Sequence, residues 1–278
     1  MINEKMKPIL QVQPWFASRD KWEAIAVREG LGFEVIELSV PPVLTEDEQA
    51  GNDDAWHDAK RTNTDGFLRN WYQTNGFVSA VHGAFIDVNP ASGDEGIRRY
   101  SRRRCIESCR LAQKLGVEHI VFHSSCASFL RGSYLDNWAA RCASFYEELS
   151  ERFGINIWIE NSQDVDAVPI RKLMERISVP GIGVCLDLGH VNYSRMPMEE
   201  WFETLGEWVG YLHLSDNMGM FDDHLPLGEG TVDWKLADSL WHLAGRKMPL
   251  TLEVVGIKGV EVSLAYLREH GYFGQQKL

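Results

Sequence analysis

Eight short apolar runs that alternate with amphipathic helical patterns predict an α/β fold, a (β/α)8 TIM barrel of eight parallel strands with outer helices. The chain has 278 residues, of which 44% are hydrophobic and 24% are charged. This balance is ordinary for a globular protein that buries one large core. Because barrels of about 250 residues fold as one unit, we expect a single domain over residues 1–278.

The eight predicted strands are short and rich in β-branched and aromatic residues. In chain order they cover residues 9–13, 33–40, 77–85, 119–123, 155–160, 183–188, 211–214 and 250–255. Eight is the number of parallel strands that closes such a sheet into a barrel.

Helical periodicity occupies the intervals between these runs, and four of the patterns end at a glycine, the usual residue just past a helix C-terminus. The predicted helices cover residues 22–29, 106–115, 138–152, 169–177, 198–205, 234–244 and 259–270. Gly30, Gly116, Gly154 and Gly245 stand at the four glycine ends.

Residues 45–75 depart from this alternation, since they are polar and include Trp56, Trp71 and Tyr72. A structureless loop of this length is uncommon in a compact domain. We therefore predict an enlarged loop with a helix near residues 65–72, lying over the mouth of the barrel.

Charge, termini and cysteines narrow the class of protein further. The formal net charge of −12 disfavours nucleic acid as a partner without excluding it.

The N-terminus lacks the apolar core of a signal peptide, and no segment approaches the roughly 18 apolar residues of a membrane span. The five cysteines include no Cys-x-x-Cys pair, which is typical of reduced, buried thiols. We expect a cytoplasmic protein without a membrane partner.

Metal-type ligands recur at or just after the ends of the third to eighth predicted strands, where the active site of such a barrel lies. They are His82, His123, Glu160, Asp187, His190, His213, Asp222, His224 and Glu253. Any one of them could be an ordinary hydrogen-bonding or helix-capping residue. Four carboxylates on one rim would repel each other unless a cation neutralises them, so the pattern predicts a divalent metal site.

The mixture of imidazole and carboxylate ligands indicates which metal binds. Such sites suit Zn, Mn, Fe or Co better than Ca or Mg, which prefer oxygen ligands alone. No cysteine stands at the predicted strand ends, which argues against a structural zinc site. We therefore expect a catalytic metal.

The chain resembles the xylose isomerase-like TIM barrels, a superfamily of sugar isomerases and epimerases that also contains endonuclease IV and the AP endonuclease family 2. The resemblance covers nearly the whole chain. The motifs that carry it are His82-Gly-Ala-Phe, Ile159-Glu160-Asn161, Cys-Leu-Asp187-Leu-Gly-His190, Leu-His213-Leu-Ser-Asp-Asn and His224-Leu-Pro-Leu-Gly-Glu-Gly.

This resemblance implies a bound metal, with one to three ions. In the isomerases of the family, one ion is held by the positions that match Glu160, Asp187, His213 and Glu253. In endonuclease IV, three zinc ions are held by the positions that match all nine residues. There, His82, His123 and Glu160 would take one ion, Glu160 would bridge to the ion of the core site, and His190, Asp222 and His224 would take the third.

Two enzymatic functions follow from one site. The first is isomerisation or epimerisation of a sugar, sugar phosphate or polyol, in which the metal stabilises an enediolate and Glu160 and Glu253 are the catalytic pair that exchanges the proton. The alternative is hydrolysis of a phosphodiester at an abasic site in DNA by a trinuclear zinc centre. A third, inactive binding protein is disfavoured because both glutamates are present.

Departures from the endonuclease pattern favour the isomerase or epimerase. The first strand ends Gln11-Val-Gln13-Pro-Trp15 without the histidine that the endonucleases carry there. Asp223 stands before the last histidine, where the endonucleases carry a basic residue. A small carbohydrate is therefore the expected partner, and a homo-oligomer is possible.

One arginine cluster, Arg98, Arg99, Arg102, Arg103 and Arg104, lies at the start of the third helix. Such a cluster near the active rim could hold a substrate phosphate or a DNA strand. Because successive helical residues advance by about 100°, we expect these side chains to spread around the helix. We interpret them as a solvated, ion-paired surface.

Overall fold

Eight parallel strands form a closed barrel, which confirms the predicted fold class. The computed structural model describes residues 10–12, 31, 33, 36–39, 44–45, 62–63, 78–245 and 248–276. Its strands are β1 (Leu10–Val12), β2 (Ile36–Ser39), β3 (Leu44–Thr45), β4 (Thr62–Asn63), β5 (Val78–His82), β6 (His119–His123), β7 (Asn156–Glu160), β8 (Ile182–Asp187), β9 (Val209–Leu214) and β10 (Leu250–Leu252). The barrel order is β1-β10-β9-β8-β7-β6-β5-β2, while β3 and β4 pair in a separate parallel sheet.

Helices lie between the strands from β5 onward. They are α1 (Glu95–Leu115), α2 (Gly132–Phe153), α3 (Val168–Met174), α4 (Leu188–Asn192), α5 (Met198–Leu205), α6 (Trp234–Leu243) and α7 (Gly256–His270), with short 3-10 helices at Gly206–Trp208 and Tyr272–Gly274. No helix of the described residues is long and apolar enough to cross a membrane.

Some predicted helix boundaries differ from the observed ones, chiefly where a helix begins with polar residues. α1 begins at Glu95 rather than at residue 106, because Asp94 caps it by accepting the N–H of Ile97 at 3.0 Å. α4 and the β3–β4 pair were not predicted. The predicted helices at 22–29 and 65–72 lie outside the described residues.

Alternation along the strands divides their side chains between two clusters. In β6 and β7, Ile120, Phe122, Ile157 and Ile159 belong to the large core between the barrel and the helices. The second cluster belongs to the other face of the strands, which lines the barrel interior; its members are Ala80, Val121, Trp158, Cys185 and Tyr211. Trp158 stacks on Tyr211 with ring centroids 6.0 Å apart, so side chains fill the interior as in other barrels of this kind.

This inner layer supports the predicted site. Each of its residues lies two positions before a predicted ligand and therefore on the same face of the strand. Thus Trp158 precedes Glu160 and Tyr211 precedes His213. The five cysteines are all buried and free, as expected.

Gly183 in β8 lies where the strand passes closely over Trp158. A Cβ at this position would lie 2.6 Å from Cζ3 of Trp158 and 3.1 Å from the backbone oxygen of Trp208. We therefore expect Gly183→Ala to lower the free energy of unfolding by about 1–3 kcal/mol through overpacking. Gly93→Ala is the matched control, because a Cβ there meets nothing within 4 Å. Equal urea midpoints for the two variants would contradict this packing.

Candidate metal centre

The strand ends bring the predicted ligands to one rim of the barrel. His82, His123 and Asp187 are the last residues of their strands. Neighbouring strands are in register there, so that His123 pairs with Glu160 and Asp187 pairs with His213. Glu253 directly follows β10. The closed barrel then points these side chains toward a common centre.

Ligand atoms within 4.8 Å of one another form three groups among the described residues. The groups are Glu160, Asp187, His213 and Glu253; His82, His123 and Glu160; and Glu37, His82 and His213. The first contains the four residues of the predicted core site, and the second joins Glu160 to two of the five predicted additional ligands, His82 and His123. Glu160 belongs to both, and its carboxylate is therefore the centre of the arrangement.

The two oxygens of Glu160 face different partners. Oε2 lies 3.0 Å from Nε2 of His82 and 3.5 Å from Nε2 of His123. Oε1 lies 3.2 Å from Nδ1 of His213, whose Nδ1 is also 2.9 Å from Oε2 of Glu253. One carboxylate thus connects the two donor groups.

Asp187 is held so that one oxygen remains available. It caps α4 through Oδ1, which accepts the N–H of His190 at 2.7 Å. The Asn161 side chain accepts the N–H of Asp187 at 2.8 Å and donates to its carbonyl oxygen at 3.1 Å. Oδ2 of Asp187 is buried without a hydrogen-bond partner. A buried carboxylate oxygen of this kind is costly unless a cation or donor occupies its free direction.

Three histidines are fixed through Nδ1 by backbone carbonyls. The acceptors are Gly83 for His82 at 3.1 Å, Asn161 for His190 at 2.6 Å and Glu253 for His224 at 2.7 Å. If Nδ1–H donates, the lone pair of a neutral ring lies on Nε2. That nitrogen lies 3.0–3.2 Å from a carboxylate oxygen in each case.

A lone pair facing a carboxylate oxygen at this distance is repulsive. Each gap is therefore stable only with a proton or a metal ion in it. The donor chemistry of both the core site and the additional ligands accordingly fits a divalent cation.

Electrostatics at the core site point the same way. Burial alone would raise the pKa of Glu160, but the imidazoles of His213 and His123 outweigh it and hold this pKa well below its usual range. Burial raises the pKa of Asp187 above its usual range, and it lowers the pKa of His123 to about 4. Glu160 is thus an anion and His123 a neutral imidazole at pH 7, which are the forms that ligate metals. Burial would lower the pKa of His213, but the neighbouring anions raise it well above its usual range, so a proton competes with a metal at this imidazole.

His190, Asp222 and His224 form the outer part of the rim. Oδ2 of Asp222 lies 3.2 Å from Nε2 of both His190 and His224. The Asp222 side chain is 39% exposed, so this part of the rim faces solvent. His224 adopts a left-handed φ of +48°, an uncommon conformation for a non-glycine residue that is often found at functional sites.

The supporting roles of two residues were not predicted from the sequence. Glu37 in β2 is fully buried and lies 3.1 Å from Nε2 of His213; its signal was a carboxylate within an apolar run. Asp216, just after β9, is also fully buried. Its carboxylate accepts the N–H groups of Gly228 and Val232 and the indole N–H of Trp234, which anchors the loop that carries Asp222 and His224.

The arginine cluster divides between one groove and the interior, and Arg103 and Arg104 both pair with Glu107. Four of its arginines line one groove of about 500 Å³, together with Glu95, Ile106 and Arg110. Only Arg104 is buried, and it pairs with Glu107. The four share a groove because residues three or four positions apart lie on one helical face. Arg98 and Arg102 donate to backbone carbonyls of Ser92 and Pro90.

The fold and the site together define an α/β barrel with a candidate divalent-metal centre at the carboxyl ends of its strands. The model of the xylose isomerase-like TIM barrel family matches residues 26–270. The chain belongs to this family.

Relatives in sequence include two uncharacterized proteins of Methanocaldococcus jannaschii. The first is 29% identical over 166 residues, covering 55% of this chain and 56% of the relative, and the match to the second covers 62% of its length. The chain thus matches less than two thirds of either relative. A probable endonuclease 4 of Mycobacterium leprae is 23% identical over 202 residues, covering 68% of this chain and 77% of the relative.

Two solved structures resemble the whole barrel. A D-tagatose 3-epimerase-like protein superposes with a TM-score of 0.72 at 22% identity, covering 95% of this chain and 97% of that one. A Thermus thermophilus protein soaked with ZnCl2 gives a TM-score of 0.71 at 21% identity, covering 93% and 96%. At this level of identity, the similarity supports the fold.

Asp216→Asn tests the anchor of the outer loop. The amide would place donors against buried N–H groups, and we expect the free energy of unfolding to fall by at least about 2 kcal/mol. Asp223→Asn, at an exposed neighbouring position, is the control and should leave stability within about 0.5 kcal/mol. Urea denaturation measures both, and unchanged stability of the Asp216 variant would show that the loop is held by other contacts.

Proposed function

We propose that this protein is a divalent-metal-dependent isomerase or epimerase of a sugar, sugar phosphate or polyol. The observation that carries the proposal is the buried group of Glu160, Asp187, His213 and Glu253, whose ligand atoms lie within 4.8 Å of one another. Its place at the carboxyl rim of a family barrel supports the proposal. So does the resemblance of the fold to a D-tagatose 3-epimerase-like protein.

These four residues would hold one ion of Zn, Mn, Fe or Co, in keeping with their mixed imidazole and carboxylate donors. When bound, the ion supplies positive charge that stabilises negative charge developing on the substrate oxygens. His82, His123, His190, Asp222 and His224 lie around this core and serve as additional ligands or substrate contacts.

Glu160 and Glu253 are the proposed catalytic residues that move the proton. They stand at the ends of β7 and β10, which are separated by β8 and β9 in the barrel, and so approach the centre from different sides. One carboxylate takes the proton from the carbon next to the substrate carbonyl, and the other returns a proton. The imidazoles of His213 and His123 outweigh burial and hold the pKa of Glu160 low, so this carboxylate is ionised and can accept a proton.

Phe85 supplies an apolar wall beside these groups. Its ring centroid lies 5.1 Å from that of His82 and 4.9 Å from that of His123, and the side chain is still 38% exposed. An exposed aromatic face next to the ligands can pack against the C–H face of a carbohydrate and exclude water from the reacting carbon.

A second candidate function is hydrolysis of a phosphodiester at abasic sites in DNA. It is favoured by the additional donor group of His82, His123 and Glu160 and by the similarity to a probable endonuclease 4. Asp223 beside the outer ligands and a net charge of −12 oppose it, because they repel a phosphate backbone.

Metal content separates these two functions. We expect protein purified without added metal to contain one divalent ion per chain by elemental analysis. Asp187→Asn should lose this ion, whereas Asp222→Asn, outside the core group, should retain it. Three zinc ions per chain would contradict the isomerase proposal and favour the hydrolase.

Substitution of the two glutamates tests the proton transfer. Glu160→Gln and Glu253→Gln should each lower kcat for the interconversion of a ketose with its epimer or aldose by about 10²–10⁴-fold, the usual contribution of general acid–base catalysis. The control is Glu151→Gln, at an exposed position of α2, which should keep full activity.

The assay compares a panel of free and phosphorylated ketoses with an abasic-site duplex. Turnover of a ketose that survives Glu160→Gln would refute the assigned role. Nicking of the duplex without turnover of any sugar would overturn the proposed function.

A further inference from the structure

A buried carboxylate lies beneath the candidate metal centre, on a strand that contributes none of the predicted ligands. Glu37 in β2 has no exposed surface. A buried carboxylate costs several kcal/mol unless it is well paired. At this position, Glu37 therefore requires hydrogen-bond donors or a cation close to its carboxylate.

Hydrogen-bond donors surround Oε2 of Glu37. The phenol of Tyr211 donates to it, Thr251 Oγ1 lies 3.3 Å away, and Nε2 of His213 lies 3.1 Å away. Tyr211 and Thr251 also contact each other at 2.8 Å. Because an ionised carboxylate only accepts hydrogen bonds, the proton shared with His213 belongs to Nε2 of the imidazole.

The other ring nitrogen of His213 faces the core site. Nδ1 lies 2.9 Å from Oε2 of Glu253 and 3.2 Å from Oε1 of Glu160. With the proton on Nε2 and an ion bound, the Nδ1 lone pair would point between these two carboxylates, where a metal ligand is required; without an ion, a second proton on Nδ1 fills the same gap. An acceptor behind a ligating histidine fixes both the tautomer and the ring orientation and raises its basicity.

We infer that Glu37 is a positioning residue that holds His213 in the Nε2–H tautomer and aims Nδ1 at the metal. The inference rests on the proposed metal-dependent function. Glu37 also belongs to a group with His82 and His213 that could hold an ion by itself. Hydrogen-bond donors already occupy Oε2 of Glu37. We therefore assign Glu37 to the support of His213 and not to the metal ligands.

Metal affinity of the full chain is the direct test. Zn²⁺ is titrated into metal-stripped protein in competition with a chromophoric chelator. We expect Glu37→Gln, which keeps the shape but accepts more weakly, to bind Zn²⁺ about 10-fold more weakly. Glu37→Met, which removes the acceptor, should bind about 100-fold more weakly, the upper end of the range for such supporting residues.

Tyr211→Phe is the matched control. It removes a hydrogen bond to the same carboxylate but leaves the contact between Glu37 and His213. Its Zn²⁺ affinity should stay within about 3-fold of the parent protein. A loss equal to that of Glu37→Gln would overturn the inference, because the effect would then come from the integrity of the buried network.

A spectroscopic readout accompanies the titration. In ¹⁵N spectra of zinc-loaded protein, the Nε2–H signal of His213 should be protected from exchange in the parent and in Tyr211→Phe, and exposed to exchange in Glu37→Gln. The signal is assigned by its absence in His213→Gln. If Glu37→Met does not fold, Glu37→Gln decides the question.

Glu160→Gln separates the two levels of the proposal. Unchanged Zn²⁺ affinity in the Glu37 variants, together with a large loss in Glu160→Gln, would overturn the role of Glu37 while leaving the metal site intact. Unchanged affinity in Glu160→Gln as well would overturn the metal site and, with it, the inference that depends on it.

Discussion

The crowding of buried carboxylates at the mouth of the barrel is the constraint on which the rest of the structure depends. Glu160, Asp187 and Glu253 are buried and share one small volume, where a low dielectric strengthens their repulsion. These carboxylates draw protons onto the surrounding imidazoles, because they outweigh burial and raise the pKa of His82 and of His213 above its usual range. A divalent ion would replace those protons and neutralise the carboxylates.

The layers of side chains inside the barrel hold these donor residues in place. A filled lower layer, in which Trp158 stacks on Tyr211, keeps the strands apart and in register. Two positions further along each of these strands, on the same face, stands a predicted ligand. Its backbone is therefore held in place by the strand. Asp222 and His224 depend instead on the Asp216 carboxylate, which accepts the N–H groups of Gly228 and Val232 in their loop. The core residues thus lie at strand ends, whereas Asp222 and His224 lie on a loop that Asp216 braces.

Apolar runs located all eight barrel strands because parallel strands are buried on both faces and contrast with their surroundings. The ligands could be predicted for the same reason, since histidines and carboxylates that recur at the ends of such runs converge on one rim. The sequence could not reveal Glu37, because an acidic residue inside a run looks like an interruption until the barrel closes around it. α4 has only five residues, too few for a helical period, and the arginines at the start of α1 obscured its apolar face. The single-domain division and the roles of the ligands stay predictions.

The position of Glu160 links the number of bound ions to the chemistry. Its Oε1 faces the core site and its Oε2 faces His82 and His123. If an ion occupies the group with His82 and His123, both oxygens are ligands and neither is free to carry a proton. If that group holds no ion, Oε2 retains only imidazole neighbours and can exchange a proton with a substrate carbon. Bridging two ions and acting as a base would therefore be competing uses of one carboxylate, and the proposed isomerase would use Glu160 as a base only while the His82 and His123 group holds no metal.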